Sequence, residues 1–205
     1  MKKNQTVNKL LLIPPAGSIL FMILYYTATR YYPGGDFENP QTKGFSWKHN
    51  FWCHLLTEKS LNGNLNASRP WAISAMMVLA FSAILFMILI PIKLDLPVRN
   101  KRIIHLTGTI SILVSFLLLS SFHDEAIQAG SAFGIIALTG ILAGMYKTGE
   151  KLLFIPGVFA TLMGMANFIM YYASTGMMYL PVIQKIAFAA FLLWFIVSCL
   201  QLRNE

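Results

Sequence analysis

The chain has 205 residues, of which 56% are hydrophobic and 12% charged, and it carries a formal charge of +8. An ordinary soluble domain is about 25% charged, so this composition excludes a soluble globular protein and makes the lipid bilayer the first partner. The positive charge does not imply nucleic acid, because the basic residues flank apolar runs instead of forming a patch.

Apolar runs of about 20 residues cross hydrocarbon as helices, since lipid offers the backbone no hydrogen-bond partner. Six such runs, at residues 10–29, 71–91, 103–122, 126–146, 152–173 and 181–200, predict an all-α membrane protein. The expected architecture is a six-helix transmembrane bundle, one integral membrane domain over residues 1–205, with a single long extracytoplasmic loop at 30–70. Residues 1–29 also resemble a secretory signal peptide. Their apolar stretch is long for one and "YTATRYY" is a weak cleavage site, so the first run is read as a retained span.

The long loop carries "GFSWKHNFWCHLL" at residues 44–56. Read as a helix, it places Trp47, Phe51 and Leu55 on one face, the pattern of an interfacial aromatic segment. A second reading is a metal site. His49 and Cys53, four residues apart, share a helical face and suit two ligands of a zinc ion, with His54 a further candidate about 140° from His49. The loop ends in "NGNLNASRPWA", a turn followed by a helix start, with Ser68 or Arg69 at the cap and Pro70 in the first turn. Asn66-Ala67-Ser68 is also a glycosylation sequon, meaningful only in a glycosylating compartment.

The third and fourth runs meet at "SSFHDEAIQ". His123 and Asp124 form a candidate catalytic pair, since a histidine beside a carboxylate can be oriented for proton transfer; Ser120 and Glu125 are candidate ligand contacts. The structural alternative is a tight polar turn whose acidic groups favour the first turn of the next helix. Small residues then form two stripes. Gly130, Gly134, Ala137 and Gly144, with Gly140 beside them, mark the fourth run, and Gly157, Ala160, Gly164, Asn167 and Tyr171 the fifth. Such stripes permit close packing with a neighbouring helix, with each other or with a second copy in an oligomer. Asn167 is either a packing hydrogen bond worth about 1 kcal/mol or a ligand contact. Pro181 opens the sixth run, and Cys199 near its end lies too far from Cys53 for a disulfide.

Lys2, Lys3, Lys9, Lys93, Arg99, Lys101, Arg102, Lys147, Lys151 and Arg203 crowd the short segments on one side, against sparser basic residues on the other. The positive-inside bias places both termini in the cytoplasm. The two polar stretches then share the outer side, and the loop is expected to fold over the second, third and fourth spans, joining His49 and His54 to His123 and Asp124.

The layout, with "YYPGGDFENPQTKGFSWKHNFWCHLL", "NGNLNASRPWAI" and the "HD" between the third and fourth runs, resembles a family of small uncharacterised bacterial six-span membrane proteins. That resemblance implies a bacterial cytoplasmic membrane and no activity or cofactor. His49, His54, His123, Asp124 and Ser120 are also similar, by residue type, to the three histidines, aspartate and serine that alkaline ceramidase-like membrane hydrolases place around zinc. The six runs are one short of that group's seven, and the last has no paired histidines. Two functions are therefore expected: a non-enzymatic protein with a pocket for a lipid or small amphiphile at its outer face, or a zinc-dependent hydrolase acting on such a molecule.

Overall fold

The computed structural model describes residues 2–119 and 122–204; of residues 2–4, 118, 119, 123 and 124 it describes the backbone alone. The chain is 75% helical, and the described residues contain no strand. Helix α1 (Lys2–Leu10) is short and polar. It stops before Pro14 and Pro15, which instead begin α2 (Ile13–Tyr31), where a missing N–H costs little. Helix α3 (Arg69–Lys93) starts as its sequence predicts, after Ser68 and with Pro70 in the first turn. Helix α4 (Val98–Val114) tightens into a 3-10 turn at Ser115–Leu119. The remaining helices are α5 (His123–Thr148), α6 (Lys151–Tyr172) and α7 (Leu180–Asn204), the last with Pro181 in its first turn.

Among the described residues, five segments are long and apolar enough to cross a membrane: Gln5–Tyr31, Arg69–Lys93, Glu125–Thr148, Lys151–Tyr172 and Leu180–Asn204. The third expected run is the exception, because its α-helix is only 17 residues long before the 3-10 turn. Sequential helices pack as neighbours, and α7 closes the bundle by lying against α2, α3 and α6.

The glycine stripes find their partners within the chain. A Cβ at Gly134 would lie 3.0 Å from Ser111 Oγ, and one at Gly140 would lie 2.8 Å from Ile104, so the α5 stripe packs on α4. Ser111 Oγ also donates to Gly130 O at 2.7 Å across that contact. The α6 stripe packs on α7 and, at Gly157, on α5 as well. A Cβ on Gly157 would lie 2.6 Å from Leu142 and 2.7 Å from Trp194, and one on Gly164 would lie 3.1 Å from Phe191. The stripes therefore do not pack on each other, as the sequence allowed; each serves the helix beside it.

Two cores result. At the end of the bundle that holds the termini, Phe86 stacks on Phe195 with centroids 3.8 Å apart, among Leu11, Ile104, Ile141, Met145 and Leu153. At the opposite end, Phe21, Tyr25, Tyr32, Leu55, Ala72 and Leu192 join the helices to the connection 32–68.

The Gly157 contact generates a test. Trp194 is buried and its indole N–H donates to Leu153 O at 2.8 Å, so the ring cannot retreat from a new methyl group. Gly157→Ala is expected to cost about 1–3 kcal/mol through overpacking. Gly130→Ala, whose Cβ would have an ordinary 3.5 Å contact, should stay within about 0.5 kcal/mol of wild type. Thermal unfolding in detergent compares them; equal melting temperatures would mean that α6 and α7 are not packed this closely.

Candidate functional site

The connection 32–68 is an ordered cap. Isolated bridges pair Gly34 with Lys43 and Lys59 with Leu65. Gly35 needs its positive φ of 86°, and a Cβ there would run into the backbone of Leu61 and Asn62. Asp36 is buried and accepts from the N–H groups of Glu38 and Asn39, at 3.0 and 2.8 Å, closing a tight turn. Asn66 is 4% exposed; its Nδ2 donates to His54 O and Thr57 O, both at 2.9 Å. The sequon is thus a buried tie, and its amide is engaged within the fold.

The segment 44–56 is not the interfacial helix that its spacing predicts. Only Trp52–Leu55 is helical, as a single 3-10 turn, and His49 lies before it. Phe51 and Leu55 are buried while Trp47 is half exposed, so the three do not form one lipid-facing stripe. The physical reason is Asn50. Its side chain is fully buried, accepting from Ser46 N at 2.8 Å and donating to Gly35 O at 2.8 Å, which turns the backbone away from a continuous helix.

The candidate metal ligands diverge for the same reason. His49 Nδ1 lies 3.2 Å from Glu38 Oε1 at the surface. His54 is buried, and its Nδ1 faces two donors at 3.2 Å, Asn50 Nδ2 and Phe51 N. Both bonds require an unprotonated Nδ1, so the neutral ring carries its proton on Nε2. Burial, helped by the nearby Lys185 charge, pulls the His54 pKa down to about 4. Burial pushes the Cys53 thiol up to about 11, away from the thiolate a metal or a nucleophilic role needs. Among the described residues no group of three or more His, Cys, Asp and Glu could hold a metal ion. The fold therefore does not bring His49, Cys53 and His54 together on one helical face, and Nδ1 of His54 is already engaged. Cys53 and Cys199 are both free.

Ser120 lies outside the described residues, as do the side chains of His123 and Asp124. Glu125 is exposed in the first turn of α5. Asn167 lies on α6 with its Oδ1 buried and without a hydrogen-bond partner among the described residues. The cap itself contacts α2, α3 and α7, the first, second and last spans, whereas its expected seat lay over the second, third and fourth. Tyr25 Oη donates to Trp52 O at 3.1 Å, Trp52 N donates to Gln184 Oε1 at 3.0 Å, and the Trp52 ring packs on Tyr25 and Phe188 at 4.7 and 4.9 Å. Ser68 Oγ and Arg69 Nε tie the start of α3 to Leu55 O and Leu56 O.

Lys185 is the group that sequence reasoning passed over. It extends from α7 under the cap, donating to Asn50 O at 2.7 Å and Pro181 O at 2.8 Å, with the Phe45 ring 5.5 Å away. No carboxylate forms an ion pair with it among the described residues. The indole N–H of Trp52, in the same cap, is buried and has no acceptor among the described residues. The signal was available: a lysine one turn past Pro181, inside an apolar helix, where an ionisable group is expensive and most often functional. Comparison with known proteins returns no match, whether to a family model, a curated protein or a solved structure.

The His54 geometry fixes the sign of a pH effect. Above about 6.5 the ring is neutral whether the chain is folded or unfolded. As pH falls from 6.5 toward 4, the unfolded state takes up a proton that the folded cap refuses, so the cap loses stability across that window and the loss levels off below it. Reaction of Cys53 with 4,4′-dithiodipyridine, a reagent that stays reactive toward thiols in acid, reports opening in a Cys199→Ser background, and should accelerate from pH 6.5 to pH 4.5 relative to a free cysteine peptide. His54→Gln keeps an acceptor without titrating and should flatten the response. An unchanged acid response in His54→Gln would place the sensitivity elsewhere.

Proposed function

We propose that this chain is a six-span protein of the bacterial cytoplasmic membrane, with both termini in the cytoplasm and the cap outside, which binds a lipid or small amphiphile with an anionic head at its capped face. The sixth span in this reading is α4 together with its 3-10 extension. Seventeen α-helical residues and five in the tighter turn reach about 35 Å, against a hydrocarbon core of about 30 Å. An even number of crossings also agrees with the basic residues on α1, the α3–α4 turn, the α5–α6 turn and the end of α7, all at one end of the bundle.

The observation that carries the binding reading is Lys185. A cation half-buried at a bundle mouth, held by two carbonyl oxygens and matched by no carboxylate among the described residues, leaves its charge uncompensated there. The third ammonium N–H and the orphan indole N–H of Trp52 are donors awaiting an acceptor. A carboxylate or phosphate head supplies both the acceptor and the charge, and the aromatic wall of Phe45, Trp52 and Phe188 offers apolar surface beside it. Binding of this kind needs no bond to be broken, and it assigns the histidines of the cap to holding it shut.

Topology is tested by alkaline phosphatase fusions. Fusion after Gly63 should be active and fusion after Asn100 inactive; the reverse would move the cap to the cytoplasm.

Ligand binding is tested with the purified protein in dodecyl maltoside, titrated with palmitate as the anionic probe and hexadecanol as its neutral counterpart. Palmitate should bind more tightly. Lys185→Gln should lower palmitate affinity about tenfold or more, since a charge-assisted hydrogen bond contributes roughly 1.5–3 kcal/mol, while Lys185→Arg retains it. Equal affinity for the two probes, or a Lys185→Gln variant that binds palmitate as wild type does, would reduce Lys185 to a clamp for the cap.

A further inference from the structure

A second polar–apolar juxtaposition lies along α6 and α7, outside the cap. The two helices line an apolar groove of about 380 Å³, which runs from the start of α6 toward the middle of the bundle. Its origin is legible in the residues. Pro156 interrupts the hydrogen bonding of α6, and Ala189 and Ala190 face it with side chains too small to fill the gap. Trp194 and Leu153 form the floor, locked by the indole N–H donating to Leu153 O at 2.8 Å, so the groove is part of the packed structure. Along α7 it runs from Ile186 to Val197, about 16 Å at the rise of an α-helix. That is close to half of a hydrocarbon core of about 30 Å, the depth one leaflet's acyl chain occupies.

Its mouth is basic. Lys151 precedes Leu152 of the groove wall, Lys147 lies in the last turn of α5, and Arg203 lies in the last turn of α7. All three are exposed, and none forms an ion pair among the described residues. Glu150 accepts from Gln201 Nε2 at 3.2 Å, which ties the start of α6 to the end of α7 at the level of the mouth. Asp95, in the α3–α4 turn at the same end, is engaged by Lys101 at 3.1 Å, so among the described residues the three unpaired cations leave the rim net positive. Basic clusters at this depth attract anionic headgroups by about 1 kcal/mol per residue.

We infer that this groove is a binding site for an anionic phospholipid, with one acyl chain lying between Pro156 and Ala190 and the phosphate held by Lys147, Lys151 and Arg203. Its headgroup end lies at the basic ends of α5, α6 and α7, away from Lys185 at the cap, and the reading does not depend on which side of the membrane the termini occupy. Charge complementarity distinguishes it from the lipid shell that any span wears, since a shell has no preference for headgroup at a fixed groove.

The test places a photoreactive benzoylphenylalanine at Leu152, exposed on the groove wall beside Lys151, and reconstitutes the full chain in vesicles of equal parts phosphatidylglycerol and phosphatidylcholine. After irradiation, mass spectrometry of the crosslinked protein should show phosphatidylglycerol enriched at least threefold over phosphatidylcholine. Replacing Lys147, Lys151 and Arg203 together by glutamine should bring the ratio to one, while circular dichroism confirms that the bundle is intact. Lys185→Gln should leave the ratio unchanged, which separates this site from the capped one. Equal labelling by the two lipids in the wild-type chain, or enrichment that survives the triple replacement, would overturn the proposal. A second variant, Ala190→Phe, fills the groove while keeping the rim; an enrichment that persists in it would show that charge alone recruits the lipid and that the groove holds no chain.

Discussion

The capped end of this protein depends on one buried amide. Asn50 is fully enclosed, and its side chain links three turns of the cap by bonding to Ser46 N, Gly35 O and His54 Nδ1, while its backbone oxygen accepts from Lys185 on α7. A buried amide left unsatisfied costs about 1–3 kcal/mol, so these bonds are mutually enforcing: opening one turn exposes or orphans the groups of the others. The cap is a polar-cored unit laid on an apolar bundle. Its hydrogen bonds fix its internal shape, and the rings of Trp52, Tyr25 and Phe188 fix its position.

This division explains which parts of the molecule could be read in advance. Membrane-crossing helices follow from local composition, because the bilayer forces every apolar run of sufficient length into one conformation. Five of the expected runs accordingly meet the requirement, and Pro70 and Pro181 mark helix starts where their sequence positions place them. The α4 run fell short for a local reason: its last turn at Ser115–Leu119 is 3-10, a distinction that an unbroken apolar string does not encode. Glycine periodicity likewise announced tight faces on α5 and α6 but not their partners. The partner depends on which helix brings a complementary group, and Trp194 and Ser111 do so here.

The cap was less legible because its structure rests on non-local acceptors. Spacing four apart suggested that His49 and Cys53 share a helical face, yet the face requires a helix, and Asn50 between them turns the chain toward Gly35 instead. Nothing local to "SWKHNFWCHLL" signals that Gly35 O is the waiting partner. Polar residues that look like a ligand set in one dimension became separate structural ties, His49 to Glu38 and His54 to Asn50 and Phe51, while the sequon residue Asn66 ties His54 to Thr57. The informative residues were instead those whose surroundings contradict their chemistry, such as a lysine inside an apolar helix.

Hydrogen-bond supply sharpens that point. In the cap, carbonyls and side-chain oxygens are largely consumed, and the groups left over near α7 are donors: the remaining ammonium hydrogen of Lys185 and the indole N–H of Trp52. On α6, the orphan group is an acceptor, Asn167 Oδ1. Asn167 and Lys185 each lie five residues from the capped ends of their helices, Tyr172 and Leu180, hence at a similar depth of roughly 8 Å at the α-helical rise. The two helices pack directly against each other. An amphiphile whose head both accepts and donates, as a protonatable acid or an amide-linked anion does, would satisfy groups of both kinds at one level of the membrane. A purely cationic head would satisfy only Asn167 and would be repelled by Lys185. On the binding reading proposed above, the sign of the unmet bonding capacity would limit the chemistry of the head that this face accepts, even where the helices alone leave the ligand's shape open.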